Sequence, residues 1–420
     1  MVLTAWARAV RGAIALALVA GCSDSGDPDL GEATCDESSA GFACDHVYLL
    51  SHLSLADLGA GEGTHLNDIW GWTDPETRRE YALVGRTDGT AFVNVTDPAN
   101  AVYLGVLPMH AGATPGVWRD IKVYRDHAFI VADGSGDHGV QVFDLTALRQ
   151  ASGAPVEYSE SAHYDGVASA HNIAINEASG FAYVVGANGG GETCSGGLHM
   201  LDIRDPRHPV FAGCYADSTT GRFLTGYVHD TQCVNYAGPD ARFRGREICF
   251  TASESAIGIV DVTDKAHPVS LATASYPNTA YAHQGWLSED QAYFYLDDEL
   301  DELGKTASRT RTLVWDMRML DEPLMITEHL GTTRASDHNQ FVRDQYLYQS
   351  NYSSGLRVLN IADPAQPAEV GFFDTVPGDD EPGFRGAWSN YPYFPSGTIV
   401  VSSIGEGLFV LRFSPAGVTQ

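Results

Sequence analysis

Four histidines stand at matching places in a repeated pattern. His171, His229, His283 and His338 each open a short segment: His171-Asn172-Ile173, His229-Asp230-Thr231, His283-Gln284-Gly285 and His338-Asn339-Gln340. Neutral imidazoles brought together could hold zinc, iron or copper. The same histidines could instead tie strands together by hydrogen bonds and satisfy buried backbone groups. Three more segments begin alike without histidine: Asn67-Asp68, Arg119-Asp120 and Arg385-Gly386. Two arginines beside four histidines would make one end of a shared channel electropositive, fit for a carboxylate or a phosphate. Asn67, Asp68, Arg119, Asp120, Asp230 and Arg385 are therefore the candidate channel and ligand-binding residues. A second cluster, Asp297, Asp298, Glu299, Asp301 and Glu302, could ligate calcium, a hard cation that prefers oxygen. Its spacing is not that of an EF-hand, and a solvated acidic loop is the alternative.

What could gather residues so far apart is the repeat itself. The seven segments begin at residues 67, 119, 171, 229, 283, 338 and 385, at intervals of 47 to 58. A period of roughly 40–50 residues built from strands is the signature of a β-propeller with one blade per repeat. Within one repeat, His171–Asn176 alternates, Phe181–Gly186 is continuously apolar, Leu198–Ile203 is a third strand and Pro209–Cys214 an outer fourth. A continuous apolar strand is expected where both faces pack on neighbours. The third strand and its turn recur as Phe92–Pro98, Ile259–Lys265 and Val358–Pro364, with proline or aspartate presetting the turn. The last repeat has only three strands. The run Val47–Leu53 can supply the fourth and close the ring, removing both sheet edges. The fold expected is all-β: a seven-bladed propeller over residues 44–413.

The bulk composition agrees. The chain has 420 residues, 44 glycines and 19 prolines, as short strands and tight turns require, and a net charge of −29. That charge argues against nucleic acid and against a polybasic membrane contact. Glycine–serine nucleophile elbows, zinc-protease helices and phosphate loops are absent from the sequence, so the catalytic residues stay unassigned. Trp70, Trp72, Trp118, Trp286 and Trp388 lie near repeat starts, as inter-blade packing or as a carbohydrate-binding rim.

The first 21 residues form an export signal: Arg8 and Arg11, an apolar run from Ala13 to Ala20, then Gly21-Cys22. The run is too short to span a bilayer. Its end resembles a bacterial lipobox, which implies cleavage before Cys22 and a lipid on that thiol. Residues 22–43 then read as a polar tether. The membrane would be met through that lipid alone, with an outer-membrane or cell-surface destination. Six cysteines remain, an even number in an oxidising compartment. The pairs suggested are Cys35–Cys44, Cys194–Cys214 and Cys233–Cys249.

The internal pattern resembles the LVIVD repeat, and the chain from about Asp45 to Leu411 resembles the bacterial "choice-of-anchor B" family of exported proteins. The stretches that carry the resemblance are Trp118–Tyr124, Gly245–Phe250, His283–Leu287, Leu296–Glu302 and Gly386–Pro392. It implies a surface or extracellular propeller and supplies no reaction. Carotenoid cleavage oxygenases are similar in architecture only: they hold an iron with four inner-strand histidines, and none of their other motifs occurs here. Two functions follow. One is a surface module that binds a protein or a small anionic ligand. The other is a metal-dependent hydrolase or oxidase built on the four histidines.

Overall fold

The computed structural model describes residues 41–151 and 153–415. Among these the chain is almost entirely β, with three short 3-10 turns as its helical segments. Seven antiparallel four-stranded blades form a closed ring, as the repeat predicts. Their innermost strands are Leu66–Thr73, Trp118–Tyr124, Asn172–Asn176, Asp230–Asn235, Ala282–Leu287, Gln340–Arg343 and Ala387–Tyr391, in blades one to seven. Each inner strand contacts that of the next blade, and the seventh contacts the first.

The ring closes as expected. Val47–Leu53 lies antiparallel to Gly407–Phe413 as the outer strand of blade seven, with a bulge between Leu49 and Ser51. Two further strands were not foreseen. Cys44–Asp45 adds to the outer edge of blade six, and Val156–Glu157 runs parallel to Gly105–Val106 on blade one. Both cover an edge that would otherwise expose unpaired backbone groups.

The core is divided among seven seams rather than gathered at one centre. Each apolar cluster among the described residues is made by two neighbouring blades. The second strands show why their sequence is apolar throughout. In blade two, Phe129 and Val131 pack toward blade three, whereas Ala128 and Ile130 pack toward blade one. Successive side chains leave opposite faces of a strand, and here both faces are buried.

Polar groups brace the outer seams. Arg149 of blade two grips Asp74 of blade one with two hydrogen bonds, at 2.8 and 2.7 Å. Asp240 of blade four accepts from Arg242 (2.9 Å) and from the backbone N–H of Leu320 in blade five (3.1 Å). Cys233 pairs directly with Cys249 across neighbouring strands, and Cys194 is bonded to Cys214. The third expected pair involves Cys35, which lies outside the described residues, as do the signal segment and Cys22.

The Asp240 contact makes one pH prediction. Its bonds to Arg242 hold the carboxyl down to about 2, against about 4 in an unfolded chain. The contribution is therefore complete above about pH 4 and disappears as pH falls toward 2. Asp240→Asn should cost about 1 kcal/mol at pH 7, the half-exposed Arg242 screening the pair, and only a small part of that at pH 2, where the carboxyl is about half protonated. Urea unfolding at the two pH values checks this.

Candidate functional site

The starts of the inner strands surround a funnel of about 560 Å³. All four repeat histidines line it, with His65, Tyr227, Tyr281, Glu299, Tyr352 and Trp388 among their neighbours. The histidines form an arc. Ring centres are 4.4 Å apart from His171 to His229, 4.3 Å from His229 to His283 and 4.5 Å from His283 to His338.

Each imidazole is held by its Nδ1. His229 donates to the carbonyl of His283 (2.8 Å), and His338 to that of Trp388. His171 donates to Asp133 Oδ2 at 3.0 Å, and His283 Nδ1 lies 3.3 Å from Asp297 Oδ1. A carbonyl can only accept, so the Nδ1 of His229 and of His338 carries the proton and Nε2 keeps its lone pair. This is how metal-ligating histidines are oriented. Among the described residues no hydrogen bond engages any of the four Nε2 atoms. Glu299 approaches two of them, at 4.0 Å from His283 and 3.8 Å from His338. It is itself placed by the Tyr352 hydroxyl, which donates to Oε1 at 2.7 Å.

Burial keeps three of these rings, His229, His283 and His338, neutral. Burial, with the neighbouring imidazole of His283, pushes His229 and His338 well below the usual histidine range. Burial also lowers His283, against the opposing pull of Glu299. A neutral imidazole is the form that ligates a metal.

The second residue of several pairs also bonds the next blade. Asp120 Oδ2 accepts from the backbone N–H of Ile173 in blade three (2.7 Å), and Asp68 Oδ2 from that of Ile121 in blade two (3.2 Å). Asn172 donates to the carbonyl of His229 (3.1 Å), and Gln284 bonds both backbone groups of Gln340 (3.1 Å each). The strand-tying reading holds for both members of the pair, since His229 and His338 also donate to carbonyls of the next blade, and their Nε2 atoms are left for the channel. A regular strand would send the two to opposite faces. In blade five a bulge between Ala282 and Gly285 re-aims them. Only glycine fits at its end, because a Cβ on Gly285 would sit 2.3 Å from the Phe294 ring.

Below the funnel the channel narrows to a chamber of about 50 Å³ containing Asp68, Asp120, Lys122 and Asp230. Lys122 pairs with Asp120 and lies 3.6 Å from Asp68. Asp120 stays low despite its burial because Lys122 and the Ile173 N–H face it. Asp68 is pushed well up by burial. Burial and the charge of Asp120 push Asp230 up to about 7. The far mouth, of about 580 Å³, is lined by Trp70, Trp286, Tyr393, Glu177 and Glu289, among others.

Four expectations are corrected. Arg119 does not face the channel. Its guanidinium is buried between blades one and two, bonded to the Arg86 carbonyl (3.1 Å) and to His138 Nε2 (2.8 Å). Arg385 lies outside the mouth, exposed and paired with Asp379 and Glu406. The chain turns there through Gly386, at φ +97°, where a Cβ would stand 2.3 Å from the Tyr352 carbonyl oxygen. No electropositive mouth forms from this pair, and Asn67 is likewise buried, donating to the Val117 carbonyl. Nor do the five carboxylates converge on one cation. Asp298 accepts from Tyr276, Ala280 and Tyr281 and braces a loop. Asp297 and Glu299 serve the histidines. Asp301 and Glu302 turn to Asp337 instead. The tryptophans also divide: Trp118 and Trp388 line the funnel, Trp70 and Trp286 the far mouth, and Trp72 is buried against Tyr81 at its edge.

Sequence reasoning missed Asp133 and Asp297 as histidine partners. The available signal was that only blades two and five end their second strands in aspartate, His127–Asp133 and Tyr293–Asp298.

Residues 341–375 match the family model of the LVIVD repeat. No curated protein matches the chain. Among solved structures it is similar to a functionally unknown protein from Desulfotomaculum acetoxidans DSM 771, with 14% identity over 76% of this chain and 87% of that one and a TM-score of 0.50. It is also similar to the β-propeller domain of Myceliophteria thermophila Cps50 (Swd1), with 12% identity over 80% of this chain and 93% of that one and a TM-score of 0.49. At 14% identity the likeness to the first speaks for the fold alone.

The strand-tying role of Asp120 predicts a stability effect. Asp120→Ala strands a buried ammonium and an acceptorless N–H, and should cost about 3 kcal/mol. Asp120→Asn, which can still accept from Ile173, should cost less. Urea midpoints of the two variants test the order.

Proposed function

We propose that this protein is an exported, lipid-anchored propeller that holds a divalent transition-metal ion at the histidine-lined mouth and acts through it on a molecule in the funnel. The observation that carries this reading is the meeting of His283, Glu299 and His338. One ligand atom from each lies within 4.8 Å of the others, and both imidazoles are already held at Nδ1. Two imidazoles and one carboxylate form a donor set that zinc and iron both accept. His229, with its ring centre 4.3 Å from that of His283, is the next donor in reach.

Three protein ligands leave coordination positions open, the mark of catalytic rather than structural sites. The funnel around them is walled by Leu300, Tyr352, Phe384 and Trp388. Such walls seat an organic group and lower the dielectric around a developing charge. A bound metal would supply Lewis acidity there: zinc makes the centre hydrolytic, iron makes it oxidative. The chain's own residues keep His229, His283 and His338 neutral, orient the four rings through Asp133, Asp297 and two carbonyls, and position Glu299 through Tyr352.

The signal-like start and the Gly21-Cys22 junction support export and lipid anchoring, and the disulfides suit an oxidising compartment. Membership of the choice-of-anchor B group rests on the stretches quoted above.

Two measurements test the reading. Protein purified without chelators should carry about one equivalent of zinc or iron by elemental analysis. The double variant His283→Ala/His338→Ala should lose it while keeping its circular dichroism, and Asp297→Asn should weaken it roughly 10–100-fold. Metal-free wild-type protein that takes up neither ion would refute the site. Separately, Cys22→Ser should move the protein from the membrane to the soluble fraction of a bacterial host; unchanged partition would refute the anchor.

A further inference from the structure

We infer that Asp301, Glu302 and Asp337 form a calcium site, separate from the histidine mouth. Ligand oxygens of the three lie within 4.8 Å of one another. Asp301 and Asp337 are 0% exposed and Glu302 4%. Their neighbours leave most of this charge unanswered. Arg311 donates its Nε–H to Asp301 Oδ2 (2.7 Å) and its backbone N–H to Asp337 Oδ2 (2.6 Å). The same guanidinium is shared with Asp298, at 3.8 Å, and with Glu328, at 3.5 Å.

Four oxygens remain buried without a donor: Asp301 Oδ1, Asp337 Oδ1 and both oxygens of Glu302. Glu302 is decisive, because its buried oxygens face only the carboxyls of Asp301 and Asp337, and a carboxyl so deeply buried with no N–H or hydroxyl donor is costly in a folded protein. A cation among the three removes that cost. All-carboxylate donation selects a hard ion over zinc or copper. Calcium accepts one bidentate and two monodentate carboxylates within its roughly six to eight oxygens, backbone carbonyls and water supplying the rest. Magnesium demands stricter octahedral geometry and gives up its water reluctantly.

The site has a structural consequence. Asp337 directly precedes His338, and Asp301 and Glu302 follow Glu299 by two and three residues. One ion would therefore anchor two chain segments, from blades five and six, that reach the channel mouth. The inference itself stands on the carboxylates and holds whether or not the mouth binds a metal.

The test uses the full chain stripped with EGTA, with calcium chloride alone as the probe. Equilibrium dialysis with radioactive calcium should show one ion retained in the presence of excess magnesium. The melting temperature should rise by about 3 °C or more at saturating calcium. Glu302→Gln, close in shape and without the charge, should abolish both effects. Wild-type protein that retains no calcium overturns the inference, and so does a calcium-dependent rise that survives in Glu302→Gln. If Glu302→Gln does not fold, Asp301→Asn replaces it under the same two readouts. The alternative, three carboxyls sharing protons, predicts that Glu302→Gln raises the melting temperature in EGTA and that calcium changes nothing.

Discussion

Every functional residue in this protein depends on one packing constraint: a blade cannot bury its two faces alone. The second strand of each blade is apolar on both sides, and each side is covered only by the next blade in the ring. Burial of this kind is the dominant favourable term in folding, at about 25 cal/mol per Å² of apolar surface. It is distributed over seven seams, so the structure is stable only when the last seam is made. Val47–Leu53 makes it possible by completing blade seven beside Gly407–Phe413. Closure then brings four imidazoles, separated by 54 to 58 positions in the chain, to ring distances of 4.3–4.5 Å.

The inner strands turn this closure into a usable mouth by bonding each blade to the next through adjacent residues, His229 and His338 included. Asp68, Asp120, Asn172 and Gln284 bond the next blade's backbone, so the rings beside them sit on a rigid collar. The histidines are thereby free to face the funnel, and their Nδ1 partners decide which nitrogen is presented. Preorganisation of this sort is what binding and catalytic sites need from a scaffold, because loosely held ligands lose affinity through ordering.

Much of this was legible in the sequence. The repeat fixed seven blades, the missing fourth strand of the last repeat pointed to Val47–Leu53, and two cysteine pairs followed from neighbouring strands. What could not be read was local direction. Spacing places Arg119 and Arg385 level with the histidines, yet one guanidinium turns into a seam and the other is displaced by the left-handed turn at Gly386. Periodicity also assumes a regular strand, whereas a bulge at His283-Gln284 lets neighbouring side chains share the channel. The acidic run Asp297–Glu302 looked like one cluster because sequence reports proximity along the chain. Its members leave in three directions, and the partner of the last two, Asp337, lies 35 residues beyond Glu302.

The central claim is that ring closure assembles a nitrogen-rich metal centre from distant repeats. X-ray absorption of the protein loaded with one equivalent of zinc addresses it directly. The account predicts a first shell of nitrogen and oxygen at about 2.0–2.1 Å, with outer-shell scattering from at least two imidazole rings that vanishes when His283 and His338 are replaced. A shell of oxygen alone without imidazole scattering, or one containing sulfur, would contradict it.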